Sequence, residues 1–328
     1  MSEKADSVAT ETWPLVSVVI PTYGRNESLL RAVESVAKQT YERIELFVID
    51  DGSADPASRS TFTAESLENI ESVTIIQHNE NRGANVARNS GIRAATGKYI
   101  AFLDDDDYWE ETKIAKQVKA FIESGPEVGL VYTGQKAESD EGSTVVGTTA
   151  EGDVIEDLFA GKNFGQFSSI MVKKSVIESA GLTDERFPAW QDREWFFRLA
   201  QNCHFKSVPE VLTHRQTGGG DSISDRFEQK RDEAYPLFIE KHYPIAREYG
   251  LYQARTFVAS LRRTLGRSAV RSGEYREARK YFVLSFIANP FYRPVYAHLL
   301  ASLGGKWTYK TAAAVRQKFK AVRSRVQF

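Results

Sequence analysis

The chain has 328 residues, of which 41% are hydrophobic and 27% charged, and its formal net charge is -1. This composition is that of a globular protein, and it excludes a collagen-like, low-complexity or disordered chain. The single cysteine, Cys203, excludes an internal disulfide framework and a zinc site built from cysteines, and it favours a reduced, intracellular compartment.

The first hundred residues alternate between apolar runs and amphipathic segments. Continuous apolar runs are typical of strands that are buried on both faces, and the segments between them have apolar residues at helical spacing. Strands that alternate with helices predict a right-handed, mostly parallel α/β sheet, with ligands beyond the carboxyl ends of its strands. The predicted strands are 15–20, 45–49, 73–77 and 99–103, and the predicted helices are 27–38 and 84–95.

The middle of the chain predicts a mixed continuation of this sheet. A polar stretch at 135–152 indicates a hairpin, and a short apolar run at 168–172 indicates an antiparallel strand. A Gly-rich stretch at 217–224 is typical of a mobile loop. Further predicted elements are a helix at 112–124, a strand at 129–133, a helix that begins near Gln191 and a polar helix at 225–248.

The C-terminal part differs from the rest in charge and in pattern. From residue 254 onward it has 16 Lys and Arg residues against two acidic residues, whereas the preceding residues have 27 basic and 42 acidic residues. Its local charge is therefore about +14. The spacing of one 34-residue tetratricopeptide repeat predicts a helical hairpin that packs on the α/β body. The residues at this spacing are Ala259, Leu265, Gly266, Gly273, Tyr275, Ala278, Phe282 and Pro290.

Neither end of the sequence predicts a membrane span or a signal peptide. Residues 1–12 are polar, with charges of both signs, and are expected to be a frayed terminus. The longest apolar candidate, 281–303, is interrupted by Pro290 and Pro294, and it predicts two helical pieces. A cytoplasmic location follows as an expectation.

Four consecutive aspartates, at 104–107, follow the fourth predicted strand. Alternate residues at a strand end project to one side, so Asp104 and Asp106 are expected to converge on one ligand. Carboxylate oxygens suit Mg²⁺ or Mn²⁺, with the remaining positions left to water and phosphate. The alternative is an acidic turn that caps the following helix, and the motif alone leaves both open.

Two other polar segments follow predicted strands at the same edge. Asp50-Asp51-Gly52 is a strong turn signal, and it also offers a carboxylate to a base or a ribose. Arg82 precedes the predicted helix at 84–95, whose entry is eased by Gly83, and Arg88 lies within that helix; both are candidates to grip a diphosphate. A solvated helix face is the competing interpretation of both arginines.

Candidate chemistry continues in the second half. Asp192 lies among Trp190, Trp195 and Phe196, where an apolar environment would raise its pKa and suit it to act as a base; a helix N-cap is the structural alternative. His214 and Arg215 precede the Gly-rich loop and are candidates to reach a phosphate when that loop closes. Ser222 is a further candidate within the loop, and two surface residues are the alternative for 214–215.

Together these segments resemble the family-2 inverting glycosyltransferases. The resemblance spans 15–224 and includes five motifs in the family's order, at 18–23, 48–53, 81–89, 99–109 and Asp192. It implies the GT-A fold, an α/β/α sandwich with a mostly parallel mixed sheet, which a small α-helical extension follows here. The implied domains are 1–14 as a flexible N-terminus, 15–224 as the transferase domain, 225–253 as a helical connector and 254–328 as the basic extension.

The resemblance also implies roles for individual residues. Donor binding falls to Pro21 and Tyr23 around the base, Asp51 with Glu27 at the base, Arg82 and Arg88 near the diphosphate, and Asp104 with Asp105 in the D-x-D region. Asp106, with Asp104, holds a divalent metal, Mn²⁺ or Mg²⁺, and Asp192 is the catalytic base. Gln191 departs from the family's usual Glu, and the Q-x-x-R-W motif of processive synthases is absent from the sequence, which favours transfer of one sugar.

The implied reaction is inverting transfer from a nucleotide-sugar donor, with UDP-sugar favoured. The acceptor expected from the basic C-terminal tail is a lipid-linked saccharide or polyprenyl phosphate in glycan assembly, at an anionic membrane surface on the cytoplasmic face. The tail packed against the acidic body is the alternative, and no motif indicates nucleic acid. A sugar nucleotidyltransferase and an inactive transferase-like scaffold are the rival functions.

Overall fold

The computed structural model describes residues 13–63, 65–139, 142–146, 149–216, 227–302 and residue 308. The strands are β1 (Val16–Thr22), β2 (Ile44–Asp50), β3 (Ser72–Gln77), β4 (Tyr99–Phe102), β5 (Asp107–Trp109), β6 (Val128–Ser139), β7 (Gly142–Val146), β8 (Ile170–Lys173) and β9 (His204–Gln216). The helices of the sheet region are α1 (Asn26–Ala37), α2 (Ala84–Ala94), α3 (Lys113–Ile122), α4 (Ile155–Phe159), α5 (Lys174–Ala180) and α6 (Gln191–Ala200). The C-terminal helices are α7 (Phe227–Gln229), which continues through a π-helical segment (Lys230–Ala234) into α8 (Tyr235–Glu248), then α9 (Leu251–Arg271), α10 (Tyr275–Ala288) and α11 (Tyr296–Ser302).

The strands of the described residues form one mixed sheet. Their order is β3-β2-β1-β4-β8-β6-β9-β5, and β7 pairs with the second half of β6. The first four strands in this order are parallel, and β8 is antiparallel to β4, so the predicted mostly parallel sheet and its antiparallel strand are confirmed. Parallel neighbours have their carboxyl ends at one edge, where Thr22, Asp51 and Asp104 lie.

Strands β5 and β9 were not predicted from the sequence. β9 is parallel to β6 with shifts in register near Gly134, and it contains Pro209 and Glu210 at the irregular part. Gly134 is required there, because a Cβ at this position would lie 2.8 Å from the carbonyl oxygens of both residues. The far end of β9 pairs antiparallel with β5 and so lies beside the residues that follow the aspartates.

Apolar layers cover both faces of the sheet. Successive residues of β1 face opposite layers: Val18 packs with α1 and α3, and Val19 packs with the layer that contains α2, α4 and α6. The continuous apolar run at the start of the chain is therefore explained by burial on both faces. α8 and the first half of α9 belong to the same core as α6, through Phe238 and Phe257.

The C-terminal helices form the predicted helical hairpin. Phe282 of α10 packs so closely on α9 that a Cβ at Gly266 would lie 2.5 Å from its ring. The hairpin packs on the body, where Phe257 contacts Phe159 at a ring-centroid distance of 5.9 Å and Tyr292 donates a 2.8 Å hydrogen bond to the Ala160 carbonyl. No helix among the described residues has the length and apolar character needed to cross a membrane. The predicted frayed terminus at 1–12, the loop at 217–224 and the tail beyond 308 lie outside the described residues.

Candidate functional site

The end of β2 holds two aspartates with different surroundings. The Asp50 carboxylate accepts hydrogen bonds from the backbone N–H groups of Ser53, at 2.8 Å, and Ala57, at 2.6 Å, and so stabilises the turn. Asp51 faces the neighbouring β3–α2 segment, where it accepts the backbone N–H groups of Arg82, at 3.1 Å, and Gly83, at 2.7 Å. Both expected properties of the segment, a turn and a carboxylate at the strand edge, are therefore present.

His78 completes the environment of Asp51, and the sequence did not indicate it. Its Nδ1 lies 2.7 Å from Asp51 Oδ1, and its Nε2 lies 2.9 Å from Ser90 Oγ on α2. Asp51 is thus held by α2 and by the loop before it. The only signal in the sequence was a histidine directly after the third predicted strand. Nothing in the sequence indicated that this histidine would contact Asp51.

The segment after β1 forms the rim of a shallow cleft of about 310 Å³. Pro21 is buried at the strand end, whereas Tyr23 is 52% exposed. Glu27 is exposed at the start of α1 and lines the cleft with residues 24–28 and Asp55. Arg82 is also exposed, at the entry to α2. Tyr23, Glu27 and Arg82 therefore present accessible surfaces near the carboxyl edge of the sheet, whereas Pro21 does not.

The four aspartates point to different partners. Arg88 Nη2 donates to Asp104 Oδ1 at 2.6 Å, and Thr22 Oγ1 donates to Asp105 Oδ2 at 2.7 Å. The Arg25 Nη1 atom lies 3.1 Å from both Asp105 Oδ1 and Asp106 Oδ2. Arg25 is a site residue that the sequence analysis missed, because its pairing depends on how α1 approaches the β4–β5 segment.

Burial and repulsion from neighbouring carboxylates raise the pKa of three of these aspartates, Asp105, Asp106 and Asp107. Burial raises the pKa of Asp105 to about 6, against the effect of its bonds from Thr22 and Arg25. Burial and the charge of Asp104 raise the pKa of Asp106 and, more strongly, that of Asp107. A positive charge brought close to this segment would offset the repulsion.

The donor set suits a divalent metal that is shared with a phosphate. The Asp104 and Asp106 side chains remain 28% and 43% exposed, and their oxygens are hard ligands. Within the described residues, no three or more His, Cys, Asp or Glu side chains are arranged to hold a metal ion by themselves. Mg²⁺ commonly uses one or two carboxylates together with substrate phosphates, so the residues fit such an ion.

Arg88 joins the aspartates to the helix that carries Asp192. Besides its bond to Asp104, its Nη1 lies 3.2 Å from Gln191 Oε1, and its guanidinium lies 3.9 Å from the centre of the Phe167 ring. The residue is only 4% exposed. Arg88 thereby joins Asp104 and Gln191, which lies about a hundred positions later in the sequence than Arg88, in one hydrogen-bonded network.

Asp192 lies in the first turn of α6, two residues after a strained residue. Trp190 has φ 60°, and it is the one non-glycine residue with positive φ in the described part of the chain. Such strain persists where surrounding contacts enforce it, and it is frequent at functional sites. Burial raises the pKa of Asp192, while the positive charges of Arg215 and Arg88 act in the opposite direction. Burial therefore makes Asp192 a stronger base, and the two nearby arginines reduce this effect.

The residues after Asp192 anchor α6 to the C-terminal helices. Arg193 Nη2 donates to Ser260 Oγ on α9 at 3.2 Å. Glu194 is fully buried, and both of its oxygens pair with Arg198 at 2.8 Å while Lys241 Nζ on α8 lies 2.7 Å away. Helices α8 and α9 therefore fix the position of the α6 turn that contains Asp192.

The pairing of β5 with β9 separates His214 from Arg215. Arg215 is opposite Asp107, with its Nε 3.7 Å from the carboxylate, and its charge also influences Asp106 and Asp192. His214 is opposite Tyr108, stacks on that ring at 4.6 Å and lies 2.7 Å from Glu110 Oε1. Arg215 is thus brought to the carboxylates, whereas His214 faces the other side of the strand. Ser222 lies outside the described residues.

Ser168 is a third site residue that the sequence did not indicate. Its Oγ donates to Asp107 at 2.6 Å and accepts the backbone N–H of Asp104 at 3.1 Å, and its carbonyl accepts Trp109 Nε1 at 2.7 Å. It fixes the backbone on both sides of the aspartate run. The only signal in the sequence was a serine pair before a short apolar strand.

Comparisons with known proteins point to one family. Residues 17–158 match the model of Glycosyl transferase family 2, a range that includes the aspartates and ends before Asp192. The Escherichia coli UDP-Glc:alpha-D-GlcNAc-diphosphoundecaprenol beta-1,3-glucosyltransferase WfaP is 29% identical over 227 residues, which are 66% of this chain and 82% of that protein. The putative glycosyltransferase EpsH of Bacillus subtilis is 30% identical over 216 residues, which are 61% of this chain and 59% of that protein.

Solved structures share the fold at low sequence identity. S. aureus TarS 1-349 in complex with UDP-GlcNAc has a TM-score of 0.54 and 17% identity, with 85% of this chain and 92% of that chain covered. The mannosyltransferase PcManGT from Pyrobaculum calidifontis, in complex with GDP-Man and Mn²⁺, has a TM-score of 0.57 and 18% identity, with 94% and 88% covered. Residues 17–158 match the family-2 model and the sheet is of the GT-A type, so this part of the chain resembles the family-2 glycosyltransferases.

Proposed function

We propose that this enzyme is a metal-dependent, inverting glycosyltransferase that moves one sugar from a nucleoside diphosphate sugar to an acceptor hydroxyl or phosphate. The observation that carries the proposal is the Arg88 bridge, which ties Asp104 to Gln191, the neighbour of Asp192. A donor-side carboxylate and a candidate base thereby lie in one network. UDP-sugar is the favoured donor, since the names of WfaP and of the TarS complex both specify UDP-linked sugars.

On the donor side, each element has a separate task. Pro21, Tyr23 and Glu27 would contact the base at the rim of the cleft, while Asp51 maintains the segment that carries Arg82. Asp104 and Asp106 would hold the divalent ion, and a bound ion would offset the charge that develops on the departing nucleoside diphosphate. Arg25 would have to release Asp106 Oδ2 for both oxygens of Asp106 to become available.

On the acceptor side, Asp192 would take the proton of the acceptor hydroxyl. Burial raises its pKa, so the carboxylate binds a proton more readily than an exposed aspartate. The acceptor oxygen then attacks the anomeric carbon from the side opposite the leaving diphosphate, and the configuration is inverted. Arg215 and Arg88 keep the carboxylate ionised before the reaction and orient the segment around it.

A lipid-linked saccharide or a polyprenyl phosphate is the acceptor class that we favour. The name of WfaP specifies a saccharide on diphosphoundecaprenol, and the last 75 residues of this chain are strongly basic. These features support glycan assembly at the cytoplasmic face of the membrane, with the protein bound peripherally to anionic lipid. The end of this basic part, residues 309–328, lies beyond the described residues.

Donor binding measured by thermal shift would test the function. UDP, GDP, TDP and CDP and their sugars would be screened with Mn²⁺, Mg²⁺ or EDTA. At 100 times its dissociation constant, the true donor should stabilise the protein by about 2.7 kcal/mol. The metal-dependent part of this shift should disappear in Asp106→Asn and persist in Asp157→Asn, a control at the surface pair with Lys162.

Two results would contradict the proposal. A folded protein that responds to none of the nucleotides would point to a scaffold. Release of pyrophosphate from a sugar phosphate and a nucleoside triphosphate would identify a nucleotidyltransferase.

A further inference from the structure

One face of α10 is exposed along its whole length. Arg276, Lys280, Val283 and Ile287 are spaced by three or four residues, which places them on one side of the helix, and all four are exposed. Ile287 is 59% exposed, and Phe291, just beyond the end of the helix, is 78% exposed. The face is therefore basic toward the start of the helix and apolar toward its end.

The first turn of α9 extends the apolar end of this face. Arg255 of α9 donates to the Ala288 carbonyl at 2.8 Å, and Asn289 Nδ2 donates to Thr256 Oγ1 at the same distance. These bonds hold the start of α9 beside the end of α10. Leu251 and Tyr252 lie in that first turn and are 57% and 58% exposed. We call the exposed side chains 251, 252, 276, 280, 283, 287 and 291 the α10 face.

The charge around the α10 face distinguishes it from an ordinary protein interface. Residues 254–302 contain nine Lys and Arg residues and only two acidic residues, and one of these, Glu277, pairs with Lys280. Single exposed apolar residues are common on soluble proteins, but a cluster with a basic border marks an interaction surface. Apolar side chains with neighbouring Lys and Arg suit the boundary between lipid headgroups and acyl chains.

We propose that the α10 face docks on an anionic lipid bilayer. Ile287 and Phe291 enter the headgroup region, and Arg276 and Lys280 meet the lipid phosphates. This inference rests on the proposed function, because a lipid-linked acceptor requires the enzyme at a membrane. It adds a folded contact surface to the contribution expected from the basic tail, and it assigns the apolar part of the contact to the end of the helical hairpin.

Flotation of the full chain with lipid vesicles would test the inference. The protein should bind vesicles of phosphatidylcholine with 30% phosphatidylglycerol and not vesicles of phosphatidylcholine alone. The double variant Ile287→Ser/Phe291→Ser should bind the anionic vesicles at least tenfold more weakly, and Arg276→Gln/Lys280→Gln should show a similar loss that salt reproduces in the parent protein. Ile122→Ser, a control at a 53% exposed position on α3, should bind like the parent.

The same variants separate this inference from the proposed function. Donor-dependent thermal shifts, measured without vesicles, should be equal in all of them, which also verifies folding. Unchanged vesicle binding of Ile287→Ser/Phe291→Ser would overturn the α10 face, whereas loss of the donor shift in the parent protein would overturn the proposed function. A dimer that this double substitution dissociates, in a protein that ignores vesicles, would identify a second copy as the partner and overturn the inference.

Discussion

Replacement of Glu194 is expected to destabilise the fold that holds Asp192. Glu194 lies two residues after Asp192 on α6 and is fully buried. Burial raises its pKa, but the nearby His242, Arg198 and Lys241 side chains outweigh this effect and lower the pKa from 4.5 to about 2. The carboxylate therefore binds α8 to α6 in its ionised form.

The shift in pKa gives the size of the effect. Each pKa unit corresponds to about 1.4 kcal/mol, so ionised Glu194 contributes on the order of 3 kcal/mol to the free energy of unfolding. Because the folded-state pKa is the lower one, this contribution is complete above about pH 4.5 and is lost as the pH falls through 2. Glu194→Gln should therefore lower the unfolding free energy by about 3 kcal/mol at pH 7, within the range for broken buried ion pairs.

Denaturant unfolding of both proteins between pH 7 and pH 3 would measure this difference. Glu277→Gln is the matched control, since Glu277 pairs with Lys280 on the surface of α10, where a change below about 1 kcal/mol is expected. A Glu194→Gln variant that unfolds like the parent at pH 7 would exclude a stabilising role for the ionised carboxylate. A difference in unfolding free energy that stays constant down to pH 3 would exclude it as well.

Four further changes test the site and its support. Asp192→Asn should lower the rate of sugar transfer about 10³-fold with donor binding retained. The rate of the parent should fall on acidification, with a midpoint above the ordinary pKa of 3.8. Equal rates in both proteins would exclude Asp192 as the base. Arg193→Met should lower kcat about 10- to 100-fold with little change in donor KM, because the contact with α9 that orients Asp192 is lost. An unchanged kcat in steady-state kinetics would contradict this positioning role. Lys113 is fully buried, and burial lowers its pKa well below 10.5, so the unfolded chain binds a proton that the folded chain does not. As the pH rises toward 10.5, the unfolding free energy of the parent should therefore increase more steeply than that of Lys113→Met. Parallel pH curves for the two proteins would contradict this. Gly266→Ala should destabilise the protein by about 1 to 3 kcal/mol in thermal unfolding, because its Cβ would overlap the Phe282 ring, and an unchanged melting temperature would show that the ring can move aside.

The parallel half of the sheet was predictable because burial on both faces leaves a clear pattern. β1, β2, β3 and β4 lie within one or two residues of the predicted strands, and each is followed by a polar or Gly-containing segment. β9 had no such pattern, since Pro209 and Glu210 interrupt it and its pairing with β6 changes register there. Its partners are distant in sequence, and local periodicity does not report them.

The same distinction applies to the site. Asp51, Asp104 and Asp192 were predictable because each lies at a strand or helix end with a recognisable neighbour sequence. Arg25 and Ser168 were not, because their importance depends on contacts that only the folded sheet creates. The individual roles of the donor-binding residues, the metal ligands and the base remain predictions for the experiments above.

Pairing of β5 with β9 also determines when the site can be completed during synthesis. Glu110 and His214, which are hydrogen-bonded beside these strands, are 104 residues apart in sequence. β5, which begins at the last of the four aspartates, therefore has no partner strand until β9 has left the ribosome. The parallel strands β1 to β4 can associate earlier, since their contacts close shorter loops. A nascent chain that stops before β9 would therefore expose four carboxylates beside an unpaired strand, an intermediate that depends on chaperones more than the finished enzyme does.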